Sequence, residues 1–196
     1  MNIPNDMITH VAKIWEGEYD IPMDIPNGTV LDIGANIGGF AIWVAENSDY
    51  KVECYEPVKY NYDLLWQNCS NYKNIHMNNI AVTDSYGDAE MYLGKHNCGE
   101  ASLFYGEEQS NIAVDVKTMD AKDLPVADII KIDTEGSEVI IINRINYKPL
   151  VYVIEYHSEE NRIWIHNYLK EHYILVKANS YRPNYGVLSY IKKEIT

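Results

Sequence analysis

Basic residues are scarce in this chain. Lys and Arg number 16 against 29 Asp and Glu, a formal net charge of −13. Binding to a nucleic-acid backbone draws on clustered Lys and Arg, and the only adjacent basic pair is Lys192-Lys193. Nucleic acid is therefore not an expected partner; the acidity serves solubility and suits a neutral or cationic small molecule. Long apolar runs are also missing: no stretch approaches the ~20 residues of a membrane span, so no membrane partner is expected. The start, Met1-Asn2-Ile3-Pro4-Asn5-Asp6, lacks the basic-then-apolar pattern of a signal peptide, and a cytoplasmic protein is expected. Only three cysteines occur, Cys54, Cys69 and Cys98, without CxxC spacing, which excludes a disulfide framework or a cysteine zinc site. Phenylalanine is rare, at 2, while tyrosine reaches 17, so much of the aromatic core must be tyrosine with its hydroxyl reaching a polar partner.

What is present is an alternation of strand and helix patterns over 196 residues, a length that favours one domain. Residues 1–28 read as a helix, Asp6–Glu16, and a lead-in broken by Pro22, Pro26 and Gly28. Continuous apolar strands are expected at Thr29–Ile33, Lys51–Tyr55, Ile75–Val82, Asp128–Asp133 and Leu150–Glu155. Helices are expected at Gly38–Glu46, from Pro57 through Asn68, at Glu138–Arg144 and at Glu159–His172. Residues 84–117 read as a hairpin-like insertion, with strands at Ala89–Leu93 and Ile112–Lys117 around a polar loop too long for a simple hairpin. Two last strands, Tyr173–Ala178 and Gly186–Ile191, form an antiparallel edge. The fold class is thus α/β: a mostly parallel sheet with helices on both faces.

The first strand ends in Asp32-Ile33-Gly34-Ala35-Asn36-Ile37-Gly38-Gly39 and leads into a helix. Ligands of open α/β sheets bind at this carboxyl edge. Gly34 permits a turn and close ligand approach. The spacing Gly34-x3-Gly38 departs from GxGxxG, because Asn36 takes the middle-glycine position. Asp32 suits a ligand with a cationic amine and repels a pyrophosphate. These features favour S-adenosylmethionine over NAD. Glu56, at the end of the second strand, is placed to accept hydrogen bonds from two ribose hydroxyls.

Val30-Leu31-Asp32-Ile33-Gly34-Ala35-Asn36-Ile37-Gly38, Tyr55-Glu56-Pro57 and Lys131-Ile132-Asp133-Thr134-Glu135-Gly136-Ser137-Glu138 together resemble the FkbM family of methyltransferases, over roughly residues 12–157. The resemblance implies a Rossmann-like seven-stranded methyltransferase fold. It also implies methyl transfer from S-adenosylmethionine, leaving S-adenosylhomocysteine, usually to a hydroxyl oxygen of a sugar, glycan or natural product. It assigns Asp32, Gly34, Ala35, Asn36 and Gly38 to the methionine end, Glu56 and Pro57 to the ribose, and Asn79 to Ala81 to the adenine, with Asp84 a substitute acidic contact.

Asp133 lies where methyl group and acceptor should meet. Alignment supplies much of the catalysis of an in-line transfer, and a hydroxyl acceptor must also lose a proton. Asp133 and His157 are the candidate bases, His157 because an ordinary histidine titrates near neutral pH. Glu135, Glu155, Asn97 and Ser102 are expected on the acceptor side, and Glu18-Tyr19 either packs or forms part of a lid. Asp133 and Glu155 are carboxylates that suit Mg²⁺, but the Asp-Asn pair of metal-dependent methyltransferases after the fifth strand is absent, and no metal is expected. Two other functions stay open: binding of S-adenosylmethionine without catalysis, and NAD-linked oxidoreduction. The acceptor, O- against N-methylation and the oligomeric state are not specified by these motifs.

Overall fold

The computed structural model describes the chain except residues 22–24, 26, 96–98, 105–108, 183 and 194–196. A short 3-10 turn, Asn5–Met7, leads into α1 (Ile8–Trp15). Then come β1 (Thr29–Ile33), α2 (Gly39–Asn47), β2 (Lys51–Tyr55), α3 (Lys59–Cys69), β3 (Ile75–Asn78), β4 (Ala81–Thr83), β5 (Gly87–Gly94) and β6 (Gln109–Asp120). The chain continues through β7 (Ile129–Ile132), α4 (Glu138–Arg144), β8 (Val151–Tyr156), α5 (Glu159–Leu169), β9 (Tyr173–Arg182) and β10 (Tyr185–Lys192).

Seven strands form one sheet in the order β3-β2-β1-β7-β8-β10-β9. The β1–β2, β2–β3, β1–β7 and β7–β8 pairs are parallel, whereas β10 runs antiparallel to both β8 and β9. The mostly parallel sheet with an antiparallel edge is thus as expected. Both faces are covered, which is why its strands read as unbroken apolar runs. Leu31, Ile33, Ile130, Ile132 and Ile154 pack on one side with Ile141, Ile142 and Ile165 of α4 and α5. Val30, Val52, Cys54, Ile129 and Val153 pack on the other with Phe40, Ala41 and Val44 of α2 and Leu65 of α3. Each such buried aliphatic side chain contributes roughly 1.5–3 kcal/mol.

The expected strand 75–82 divides in two. β3 ends at Asn78, and β4 joins a separate three-stranded sheet, β4-β6-β5, where it runs parallel to β6. Asn79 makes the break, donating from Nδ2 to Glu56 O and Pro57 O, both at 2.9 Å. The insertion is therefore more than a hairpin: β5 and β6 run past the expected ends of both strands. Helix α3 starts two residues after Pro57. The Glu56 carboxylate accepts Val58 N at 2.9 Å, and Val58 stays extended as the helix cap. Among the described residues no helix is long and apolar enough to cross a membrane.

Strand order reverses between β1 and β7, since β1 leads on to β2 on one side and β7 to β8 on the other. The carboxyl ends flanking such a reversal form the natural ligand crevice of an α/β sheet.

Candidate functional site

The loop after β1 is shaped by its neighbours as much as by any ligand. Gly34 has φ +80°, and a Cβ there would lie 1.7 Å from the Asp133 carbonyl oxygen. Only glycine allows the ends of β1 and β7 to come this close. Gly34 N and Ala35 N both donate to Tyr55 O at 3.0 Å, and Asn36, itself at φ +50°, donates its N–H to Glu56 Oε2 at 2.9 Å. Gly38, at φ +92°, caps α2, and its missing side chain makes room for Cys69 Sγ and Leu65.

Two adjoining cavities open here. The first, about 560 Å³, is bounded by Gly34, Asn36, Glu56, Pro57, Asn61, Asp133, Thr134, Glu135 and Ser137, with an apolar wall of Tyr55, Ile80, Ala81, Val82, Met91 and Leu103. Glu56 is buried, and burial pushes its carboxyl up to about 7 despite the Val58 and Asn36 N–H groups that favour its charge. Each of its oxygens accepts one backbone hydrogen bond, which leaves further lone pairs for a ligand.

The second cavity, about 590 Å³, is bounded by Glu18, Tyr19, Gly34, Ala35, Asn36, Phe40, Lys131, Asp133, Glu135, Glu155 and Tyr185, among others. Gly34, Asn36, Asp133 and Glu135 line both cavities. The acidic wall is tightly bonded. Tyr19 donates its hydroxyl to Asp133 Oδ2 at 3.2 Å and also to Glu155 Oε2. Glu18 is 7% exposed, and its Oε1 has no hydrogen-bond partner. Burial, then the Asp133 charge, pushes the Glu155 carboxyl up to about 8.

Lys131 is the buried cation of the site. Its Nζ lies 3.1 Å from Asp32 Oδ1 and 3.6 Å from Asp133 Oδ2, and donates to Gly34 O at 2.7 Å. Burial works against the ammonium, yet Asp32 and Asp133 together hold its pKa above the ordinary value.

His157 stands behind Asp133, Glu135 and Glu155. Its Nδ1 is 3.0 Å from Glu138 Oε1, and Nε2 is 3.4 Å from Glu135, 3.8 Å from Glu155 and 3.9 Å from Asp133. Glu138 is fully buried and accepts from Thr134 N at 3.3 Å and Gly136 N at 2.9 Å, which holds the turn after β7 closed. A carboxylate with these donors only accepts, so His157 Nδ1 carries the proton of this bond.

Several expected roles change. Asp32 lines neither cavity; its carboxylate lies beside Lys131 Nζ, at 3.1 Å. Gly38 packs against α3, and Asn79 is an exposed staple on residues 56 and 57. Asp84 is exposed and borders neither cavity. Ser102 is buried and donates its hydroxyl to Glu135 O at 2.5 Å, tying the insertion to the β7 turn. His157 does not have an ordinary pKa. Burial would lower it, but Glu135 and Glu138 raise it well above the usual value. His157 also lines neither of the two cavities. Asn97 lies outside the described residues. Gly34, Ala35, Asn36, Glu56, Pro57, Ala81, Asp133, Glu135 and Glu155 all border a cavity. Lys131 and Tyr19 also belong to the site, though in sequence the one stands only within the quoted motif and the other only as a packing or lid residue; a lysine inside an all-buried strand is the signal for the first.

The family model described as Methyltransferase FkbM domain matches residues 32–183. No curated protein matches the chain. Solved structures share the fold at low identity. The precorrin-6y C5,15-methyltransferase of Geobacter metallireducens is 12% identical, with a TM-score of 0.56 over 97% of this chain and 93% of that one. The ribosomal protein L11 methylase of Lactobacillus delbrueckii subsp. bulgaricus is 11% identical, with a TM-score of 0.56 over 96% and 80%. TrmK of M. capricolum, solved with S-adenosyl-homocysteine, is 12% identical, with a TM-score of 0.52 over 94% and 68%.

Proposed function

The chain belongs to the FkbM methyltransferase family, and from that premise we propose that it methylates a hydroxyl oxygen of a sugar, glycan or small natural product. Its methyl donor is S-adenosylmethionine, which when bound supplies a methyl group on a sulfonium. The observation that carries the reading is the meeting of the two cavities at Gly34, Asn36, Asp133 and Glu135.

In this reading the first cavity holds the adenosine part. Glu56 accepts hydrogen bonds from the ribose hydroxyls with the lone pairs its backbone contacts leave over, and Ile80, Ala81, Val82 and Met91 pack on the base. Gly34, which lines both cavities, sets the methionine part beside Asp133. Lys131 holds Asp133 and the Gly34 carbonyl in register. The acceptor enters the second cavity, and Asp133, the carboxylate shared by both, orients its hydroxyl and receives the proton as the oxygen attacks. The acidic lining fits a neutral or cationic acceptor and disfavours a phosphate chain.

The test is transfer of labelled methyl from S-adenosylmethionine to a panel of sugars, glycans and hydroxylated natural products, with base-stable O-methyl product as the expected result. Binding of S-adenosylhomocysteine without transfer to any acceptor would instead mark a silent binder, and a product labelled on nitrogen would overturn the O-methyl reading.

A further inference from the structure

Helix α1 ends in a closed turn. Gly17 takes φ +91°, its N–H donates to Ile14 O at 3.1 Å, and Glu18 N donates to Lys13 O at 3.0 Å. This pair of bonds is the Schellman form of helix stop, which fixes the path of the residues that follow. Lys177 of β9 donates to Gly17 O and, at 3.3 Å, to Asp20 Oδ2. On the other side of Glu18, Tyr19 is anchored to Asp133 and Glu155. Glu18 is thus held from both directions in the wall of the second cavity.

The fold leaves this carboxylate unanswered. Glu18 is buried, and its Oε1 is sealed from solvent without a hydrogen-bond partner. Lys131 and His157 pair with Asp32, Asp133, Glu135 and Glu138. Lys13 is felt by Glu18 as a charge, but its Nζ sits over the Tyr181 ring, 4.8 Å from the centroid. Burial outweighs the Tyr181 hydroxyl and the Lys13 charge, and raises the carboxyl above its ordinary value. A buried carboxylate oxygen without a donor is costly.

An ionised carboxylate only accepts, so whatever fills this place must donate. A hydroxyl would supply the hydrogen and leave the charge; an ammonium supplies both, in a charge-assisted bond about twice as strong. We propose that Glu18 is a specificity-determining residue and that the acceptor carries a protonated amine, which pairs with Glu18 while a hydroxyl of the same molecule meets Asp133. Amino sugars and aminocyclitols are the class with both groups on one small ring. The inference rests on the reading of the second cavity as the acceptor side.

The experiment uses the full chain with S-adenosylmethionine and matched sets of acceptors: glucosamine, galactosamine and 2-deoxystreptamine, each beside its N-acetylated and its hydroxyl counterpart. Free-amine members should be methylated on oxygen with kcat/KM at least tenfold above their counterparts. Glu18→Gln should erase that preference, so that the members of a set differ less than threefold, a readout that a merely weakened fold would not give. Equal use of amine and amide in the wild type, a preference that survives in Glu18→Gln, or methyl on the nitrogen each overturns the proposal. So does turnover of no free-amine member by a chain that binds S-adenosylhomocysteine. Affinity for S-adenosylhomocysteine is measured in the same samples. A tenfold loss confined to Glu18→Gln would assign Glu18 to the donor's own ammonium and overturn the acceptor role, whereas no binding by the wild type would count against the methyltransferase site itself.

Discussion

Lys131 Nζ lies 3.1 Å from Asp32 Oδ1, and both side chains are buried on adjacent strands of the central sheet. Removing one partner strands the other charge in the core, so Lys131→Met should cost about 3–5 kcal/mol. Asp32→Leu combined with Lys131→Met should recover most of that stability while losing activity. Urea unfolding of the single and double variants decides the matter; a single variant within 1 kcal/mol of wild type would show that the pair carries no such constraint.

Glu56 should set cofactor affinity, and its elevated pKa gives that affinity a pH signature. The ribose hydroxyls bind the ionised form, and the free carboxyl titrates at about 7. Affinity for S-adenosylhomocysteine should therefore be full above pH 8 and fall by up to about tenfold per unit below pH 7. Calorimetry across pH 5.5–8.5 checks this. Glu56→Gln should bind weakly at every pH, and a wild-type slope in that variant would assign the titration elsewhere.

Ligand-free stability should show the same groups with a defined sign. Glu56 at about 7 and Glu155 at about 8 both lie above the ordinary 4.5. The folded chain thus keeps protons that the unfolded chain releases, and the stability they contribute is present below pH 4.5 and lost as pH rises through 7 and 8. For Glu56 alone the change is on the order of 3 kcal/mol. Thermal melts of the apo chain should fall steadily from about pH 5 to 8 and level off above, and a flat profile over that range would contradict the buried carboxyls.

Asp133→Asn should lower kcat by roughly 10²–10⁴ while leaving S-adenosylhomocysteine affinity within a few-fold of wild type. Equal turnover in the variant would remove Asp133 from the chemistry. A large loss of affinity with kcat intact would make it a donor-binding residue only.

Gly34→Ala should be among the most damaging single changes. The methyl group would overlap the Asp133 carbonyl, and the left-handed backbone adds about 1–3 kcal/mol of strain. Poor soluble yield or a melting temperature more than 8 °C lower is expected; a stable variant with normal affinity would mean that the two strand ends can separate freely.

The parallel core was legible in the sequence because burial on both faces writes itself as unbroken runs such as Thr29–Ile33 and Val151–Tyr156. The division of 75–82 was not: Asn79 breaks the strand through two bonds to residues more than twenty positions earlier, a tertiary effect with no local pattern. Glu56 could be placed from spacing at the end of the second strand, and it lines the first cavity. Asp32 could be found but not interpreted, because its cation lies on a strand 99 residues later, at Lys131. His157 illustrates the same limit. An ordinary pKa is what the residue type alone suggests, but the carboxylates of Glu135 and Glu138 that the fold assembles around it raise it.

The hydrogen bond from Ser102 to Glu135 O has a consequence for how this enzyme can diverge. Glu135 holds a left-handed backbone at φ +54° on the rim of both cavities, and its carbonyl is pinned by the insertion that also supplies Met91, Ala101 and Leu103 to the first cavity. In the proposed assignment of the two cavities, donor retention and acceptor choice therefore share one mechanical anchor. The insertion is not a removable ornament: a lineage that trims or swaps it to reach a new acceptor must rebuild its grip on the cofactor in the same step.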